Sequence, residues 1–471
     1  MLLALILIPL LAAIAIFAGA PARKTALGAA GLNLALALTF ACPTFQGGDF
    51  SVLVLKDPAI HLALGLTGIS RIMLLLSVIV TIAAVYSGKC PEGREKLWYS
   101  STLLIACGAI GAFLSTDLFF FYAFHEMALI PTFLMIGILG RGNRKEAAWK
   151  ITVYLAFGSI ILLAGLLLAV SHLDSFAFAD LKAIPAGAQN TVALLLIIGF
   201  GTLISLFPLH SWAAPAYASA PAPVSMLHAG VLKKFGLYGL IVVGLKVAPD
   251  GMLHWLPLLC LLLLGNIIWV GLVTINQKRL DLMLGNSSVM HMGYIFLAIA
   301  AVIANGKNEI AIPAAVLLMF AHGVSIALLF SLNSVVEEKT GTLEISMLGG
   351  LAKTAPALAF IFGLGGMASL GLPGLANFAG EIMVFLAGFK DWVAGEPFGI
   401  VQLTTIISLW GVVISAVYML RAYRNTFQGP MVKSTTDATD MTLTEKIPAY
   451  FLGAVLLLVG IYPAIILNFL K

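Results

Sequence analysis

Uncharged apolar runs of about twenty residues recur along this chain, and a water-soluble fold has no place to bury so many of them. The stretch ITVYLAFGSIILLAGLLLAV, residues 151–170, has no charge and no polar face. A helix of that kind needs lipid or protein on every side. Strands of a membrane barrel alternate apolar and polar every second residue, which these runs do not do. With 61% hydrophobic and 10% charged residues among 471, and a mean hydropathy of +1.05, the chain has too little polar surface to coat a soluble globule. The expected fold class is an all-α polytopic membrane protein. The first run starts at Met1 and meets no cation before Arg23. It therefore lacks the charged leader of a signal peptide and reads as a retained helix.

Breakers divide the apolar sequence into fourteen spans, near 1–20, 26–42, 61–87, 98–115, 117–140, 148–171, 191–208, 222–246, 252–275, 282–304, 309–336, 354–389, 400–420 and 447–470. The run 354–389 is too long for one straight crossing and contains Leu372-Pro373-Gly374, so span 12 is expected to be broken. Span 7, ending at Phe207-Pro208, carries a similar signal. Of the 26 Lys and Arg, 17 fall in odd-numbered connections, six in even ones or at the C-terminus, and Arg71, Lys233 and Lys234 lie inside spans. That bias places the odd connections in the cytoplasm and both termini outside. The net charge of +5 thus reflects topology and gives no reason to expect nucleic acid as a partner.

Pro208 and Pro373 are 165 residues apart, and so are Glu126 and His291. A register of this kind suggests duplicated five-helix units with broken helices at matching places. The expected organisation is 1–97 for spans 1–3, 98–248 for a first five-helix repeat, 249–428 for a second, and 429–471 for a loop and span 14.

Cys42, Cys90, Cys107 and Cys260 are scattered singly, without CxxC. That pattern excludes a cysteine-ligated iron-sulfur cluster within the chain and offers no disulfide framework. There is no GxGxxG or GxxxxGK[ST] loop for a nucleotide. No His/Cys/Asp grouping has metal-site spacing, so no metal is expected.

A carboxylate at mid-bilayer costs about 2.5–3.5 kcal/mol on insertion scales, so each buried charge needs a partner, a proton or a purpose. Only Glu126 and Glu381 lie well inside spans. Asn377 sits one turn before Glu381, just after the Pro373-Gly374 break, whose freed backbone groups must be buried in protein or meet water. The alternative is a structural carboxylate capped by helix-end amides. Lys233 and Lys234, in HAGVLKKFGLYG, point about 100° apart. One is expected to face an interior pathway and the other a neighbouring helix or interface. Gly230, Gly236 and Gly239 around them permit close helix contact. Lysine away from water gives up its proton more easily, so the pair offers a proton carrier or else a structural partner for a carboxylate. His291 with Ser287, and His322 with Ser325, are mid-span imidazoles suited either to a relay or to core hydrogen bonding. His125 is expected to point away from Glu126, Asp117 to be interfacial, and Arg71 to ion-pair or snorkel.

FHEMALIPTF, PLHSWAAPAYASAPAPVSMLHAGVLKKFGLYG, NSSVMHMGY, FAHGVS and GLPGLANFAGE, in that order, resemble the antiporter-like subunits of respiratory complex I, NADH:quinone oxidoreductase, most closely the M type. The likeness covers nearly the whole chain and is strongest from span 4 to span 13. The end at Lys471, without the long lateral helix of the L type, also suits M. The resemblance implies fourteen helices with two inverted five-helix repeats and a midplane line of ionisable groups that carries protons. Matched by motif, Glu126 is the span-5 glutamate, Lys234 the span-8 lysine, His291 and His322 the linking histidines, and Glu381 the terminal acid of span 12.

One position departs from the pattern. Relatives carry a lysine five residues before the PLHSW proline, where this chain has Leu203. Lys233 or His210 would have to substitute for it, or water would have to bridge Glu126 to Lys234. The resemblance also implies L-type and N-type membrane partners in a bacterial inner membrane. It implies no cofactor in this chain, with FMN, iron-sulfur clusters and quinone in partner subunits. A multisubunit cation/proton antiporter, a membrane-bound hydrogenase or a non-pumping scaffold would share the same core.

Overall fold

A computed structural model describes residues 1–40 and 48–471; Cys42 lies outside them. Lipid cannot hydrogen-bond a backbone, so each apolar run closes its own bonds as a helix. The spans are α1 (Leu2–Phe17), α2 (Ala22–Phe40), α3 (Gly68–Tyr86), α4 (Glu95–Leu114), α5 (Leu118–Leu139), α6 (Arg144–Val170), α7a (Ala186–Ile204), α7b (Ala213–Ser219), α8 (Ala222–Val247), α9 (Leu256–Ile275), α10 (Leu280–Ala304), α11 (Ala311–Thr340), α12a (Pro356–Ser369), α12b (Ala376–Phe389), α13 (Ile400–Phe427) and α14 (Leu443–Ile461). Every expected span holds a helix, and both expected breaks occur. They fall between α7a and α7b and between α12a and α12b.

The start of span 3 is corrected. Residues counted there as helix form strand β2 (Ile60–Leu64), paired antiparallel with β1 (Phe50–Leu55), Phe50 opposite Leu64. The helix begins only after Thr67, whose Oγ1 accepts from the Ser70 amide at 3.2 Å while Ser70 Oγ accepts from the Thr67 amide at 2.6 Å. This reciprocal cap fixes the boundary. Hydropathy alone had run strand and helix together.

Burial sorts the helices into layers. The most apolar window of α11 is 100% buried, and that of α14 only 33%, so α11 is the hub and α14 belongs to the rim. Glycines let the hub pack closely: a Cβ on Gly230 of α8 would lie 2.9 Å from the Gly323 carbonyl of α11, and one on Gly323 2.6 Å from the Gly230 carbonyl.

Contacts between connections test the span map. Lys89 pairs with Glu338, Lys339 with Glu445, Arg141 with Glu337 and Arg279 with Glu344, each joining one odd connection to another. On the other face, His61 N donates to Asp117, Leu118 N to Phe176 O, Ile184 N to Val247 O, and Asn308 Nδ2 to Asp391. These all join even connections. A miscounted span would have mixed the two sets.

Candidate functional site: a buried file of lysine, histidine and glutamate

Lys233 and Lys234 are both fully buried, along with His291 and His322. The turn before the lysines, His228–Leu232, is a π-helix in which the Lys233 amide donates to His228 O at 3.1 Å. Such bulges re-aim the residues that follow. The close Gly230–Gly323 approach then sets α8 against α11, and Lys234 Nζ donates to His322 Nδ1 at 3.0 Å and to Ala229 O at 2.6 Å. The rings of His322 and His291 lie 5.8 Å apart. His291 Nε2 is 4.0 Å from Glu381 Oε1. Four of the five residues expected from the sequence to carry protons thus lie in one file, Lys234–His322–His291–Glu381, crossing from α8 through α11 and α10 to α12b.

The break in α12 shapes the far end. Ser369 is the last residue of α12a, so its carbonyl has no helical donor, and it lies 2.9 Å from His291 Nε2. His291 Nδ1 is 2.8 Å from Ser287 O. A neutral imidazole has one N–H and an imidazolium two, so one of these contacts is a hydrogen bond in the neutral ring and both in the charged ring. Gly371 (φ +69°) and Gly374 (φ +91°) carry the chain through the gap in the left-handed region that favours glycine. Asn377 Nδ2 donates to Ser325 Oγ at 3.3 Å, and Ser325 Oγ to His322 O at 3.2 Å. Glu381 Oε1 has no hydrogen-bond partner among the described residues, so no helix-end amide caps that oxygen.

Lys233 points elsewhere within the interior. Its Nζ donates to Ser288 Oγ of α10 at 3.3 Å and stands 5.4 Å over the Tyr217 ring. Lys234 thus meets α11 and Lys233 meets α10, and both lysines are internal.

Glu126 stands apart from the file. It accepts a hydrogen bond from Ser159 of α6 and lines a cavity of about 330 Å³ between α5 and α6. Its side chain is 32% exposed. Among the described residues no lysine or arginine lies within ion-pair distance of it. Leu203 is buried in α7a, Lys233 is engaged by Ser288, and His210 stacks on Phe207 with ring centroids 5.5 Å apart. Neither expected substitute contacts Glu126.

One expectation is corrected here and two are refined. His125 turns toward Glu126, with Nδ1 3.5 Å from Oε1, because its ring lies flat on Phe235 at 4.0 Å and that stacking folds it back along the helix. Asp117 is buried as well as terminal: it caps α5 by accepting from the Phe119 and Phe120 amides at 2.9 and 3.3 Å. Arg71 makes no ion pair among the described residues.

Sequence reasoning also missed Asn266. Its Oδ1 accepts from the Phe207 amide at 2.7 Å, and its Nδ2 donates to Ser205 O and Val289 O at 3.0 and 2.9 Å. One amide thus satisfies backbone groups exposed by the α7 break and ties them to α10. A lone Asn in the apolar run LLLLGNIIWV was the available signal. Tyr418, whose hydroxyl pairs with Ser287 Oγ at 2.7 Å, had none.

Among the described residues, eleven helices long and apolar enough to span a membrane, with shorter apolar helices and two breaks, surround a buried file of lysine, histidines and glutamate and define a membrane subunit of antiporter-like fold. The chain belongs to the NADH:quinone oxidoreductase/Mrp antiporter family, whose transmembrane profile matches residues 115–409. It is 35% identical to NAD(P)H-quinone oxidoreductase chain 4 2 of Microcystis aeruginosa over 82% of this chain and 68% of that one. It is 33% identical to chain 4 1 of a Synechococcus strain over 98% and 89% of the two chains. Among solved structures, a chain of respiratory complex I from Thermus thermophilus with bound NADH superimposes with a TM-score of 0.88 at 26% identity, covering 100% of both chains. A chain of the Mrp complex from Dietzia sp. shares the fold, with a TM-score of 0.84 at 19% identity over 99% of this chain and 95% of that one.

Proposed function

We propose that this chain is a proton-translocating, antiporter-like membrane subunit of an NAD(P)H:quinone oxidoreductase. The supporting observation is the Lys234–His322–His291–Glu381 file. Each member exchanges protons, and the gaps between members are a hydrogen bond, a ring-to-ring step and a 4.0 Å separation. Lys234 hands a proton from Nζ to His322 Nδ1, and His291 receives it by ring reorientation or one bridging water. The Ser287 and Ser369 carbonyls hold the His291 ring in both charge states. A small rotation of the Glu381 carboxyl then brings Oε1 into hydrogen-bond reach of Nε2. Glu381 is not locked in a permanent ion pair, which suits a terminal donor and acceptor.

In this reading 98–248 and 249–428 act as two inverted repeats meeting at the lysine and histidines. FMN, iron-sulfur clusters and quinone belong to partner subunits, L-type and N-type chains flank this one in a bacterial plasma membrane, and both termini face outward. Glu126, which has no lysine or arginine within ion-pair distance among the described residues, favours one specific variant, a subunit whose exit half carries protons while the entry half lacks the usual Glu–Lys gate.

The test is proton pumping by the assembled complex in sealed inverted vesicles, with NADH oxidation measured in parallel. Lys234→Met and Glu381→Gln are each expected to lower protons moved per NADH, with assembly intact on native gels. An unchanged ratio in both variants would make the chain a scaffold. A chain that purifies without redox partners and exchanges sodium for protons would place it with the antiporters instead.

A further inference from the structure

On the flank formed by α2, α3 and α14, these helices leave a groove of about 690 Å³ with Phe320 of α11 at its floor. Its walls are apolar: Leu75 and Ile79 of α3 face Val455 and Leu458 of α14. Their spacing is helical, since Arg71, Leu75 and Ile79 lie four residues apart on one face of α3. On α14 the lining runs from Phe451 to Tyr462, a length of roughly 16 Å. That is about half of a ~30 Å hydrocarbon core, the depth of one leaflet.

The mouth of the groove differs from its walls. Arg71 sits in the first turn of α3, where the macrodipole disfavours a cation, and no acceptor for its guanidinium lies within hydrogen-bond distance among the described residues. Tyr462, 56% exposed, stands at the same end, the level at which amphipathic rings mark the headgroup region. The tail Asn468–Leu470 closes the rim against α3: a Cβ on Gly68 would fall 2.0 Å from the Phe469 carbonyl. Lys471 also lines this end.

We propose that the groove is a binding site for one anionic phospholipid, with its acyl chains along Leu75, Ile79, Val455 and Leu458 and its phosphate on Arg71. An apolar slot one leaflet deep with an uncompensated guanidinium at headgroup level matches that molecule in length, polarity and charge.

The site can be tested in the intact complex by placing a benzophenone amino acid at Leu458, which is 53% exposed, and irradiating membranes that contain phosphatidylglycerol. A phospholipid mass added to this chain is expected. A crosslink to another polypeptide would overturn the proposal in favour of a partner helix in the groove. In parallel, the purified complex is delipidated and re-supplied with dioleoyl phosphatidylglycerol or dioleoyl phosphatidylcholine. Arg71→Gln should weaken retention of the anionic lipid on this subunit by about tenfold, the effect of losing one charge-assisted contact, with the zwitterionic lipid unaffected. Arg71→Lys should keep most of it. Equal retention of phosphatidylglycerol by Arg71→Gln and the unaltered complex would sink the headgroup assignment. Should Arg71→Gln fail to assemble, the photocrosslink made with Arg71 in place still decides.

Discussion

The tightest residue-scale constraint at the proposed exit is a missing methyl group. A Cβ on Gly371 would lie 2.2 Å from Glu381 Oε2, and the backbone there is already left-handed. Gly371→Ala is therefore expected to push the carboxyl away from His291 and lower protons pumped per NADH, with the complex still assembled. A normal ratio would show that the 4.0 Å approach is not used. Leu203 allows a second test. A Cβ on Gly158, beside Ser159, would meet Thr202 Cβ at 2.7 Å, so the α7a backbone that carries residue 203 runs against the segment that binds Glu126. Leu203→Lys should assemble when Glu126 is present. Leu203→Lys with Glu126→Gln should assemble poorly, because an unpaired buried charge costs about 3–5 kcal/mol; native gels of the two variants make the comparison. Glu126, Lys234, His291, His322 and Glu381 were legible in the sequence because ionisable side chains are scarce in apolar runs. Their distances were not legible. That Lys234 meets His322 while Glu126 stays apart depends on the Gly230–Gly323 contact and the π turn, which composition does not reveal.

At the scale of elements, proline and glycine announced the two broken helices, since each removes a donor or permits a left-handed residue at a definite place. The groups that make a break tolerable come from distant sequence and were silent. Asn266 of α9 serves the Phe207 amide and the Ser205 carbonyl of the α7 break and the Val289 carbonyl of α10. Asn266→Leu keeps the volume and strands these groups, at about 1–3 kcal/mol for each one left buried and unsatisfied. A lower thermal midpoint for the assembled complex is expected, whereas Asn266→Gln should lose less. Equal midpoints for Asn266→Leu and the unaltered chain would mean that the break is satisfied without this amide. The hairpin β1–β2 escaped hydropathy for a different reason. IHLALGL is apolar enough to extend span 3, and only the Thr67–Ser70 cap marks where strand gives way to helix.

For the whole molecule, the arrangement in the membrane follows from two independent observations. Odd connections pair with odd and even with even throughout the described residues, as expected of a chain that crosses from face to face at each expected span, and an even number of crossings would return the C-terminus to the side of the N-terminus. Contacts cannot say which side that is, but the cations can. Seventeen Lys and Arg occupy the odd face and six the even face, and short loops rich in cations stay in the cytoplasm. Both termini should therefore lie outside. An epitope tag after Lys471 should be cut by protease added to intact spheroplasts, while a tag in the Lys433–Lys446 connection is cut only after lysis. The reverse pattern would place both termini in the cytoplasm and overturn the orientation read from the cations.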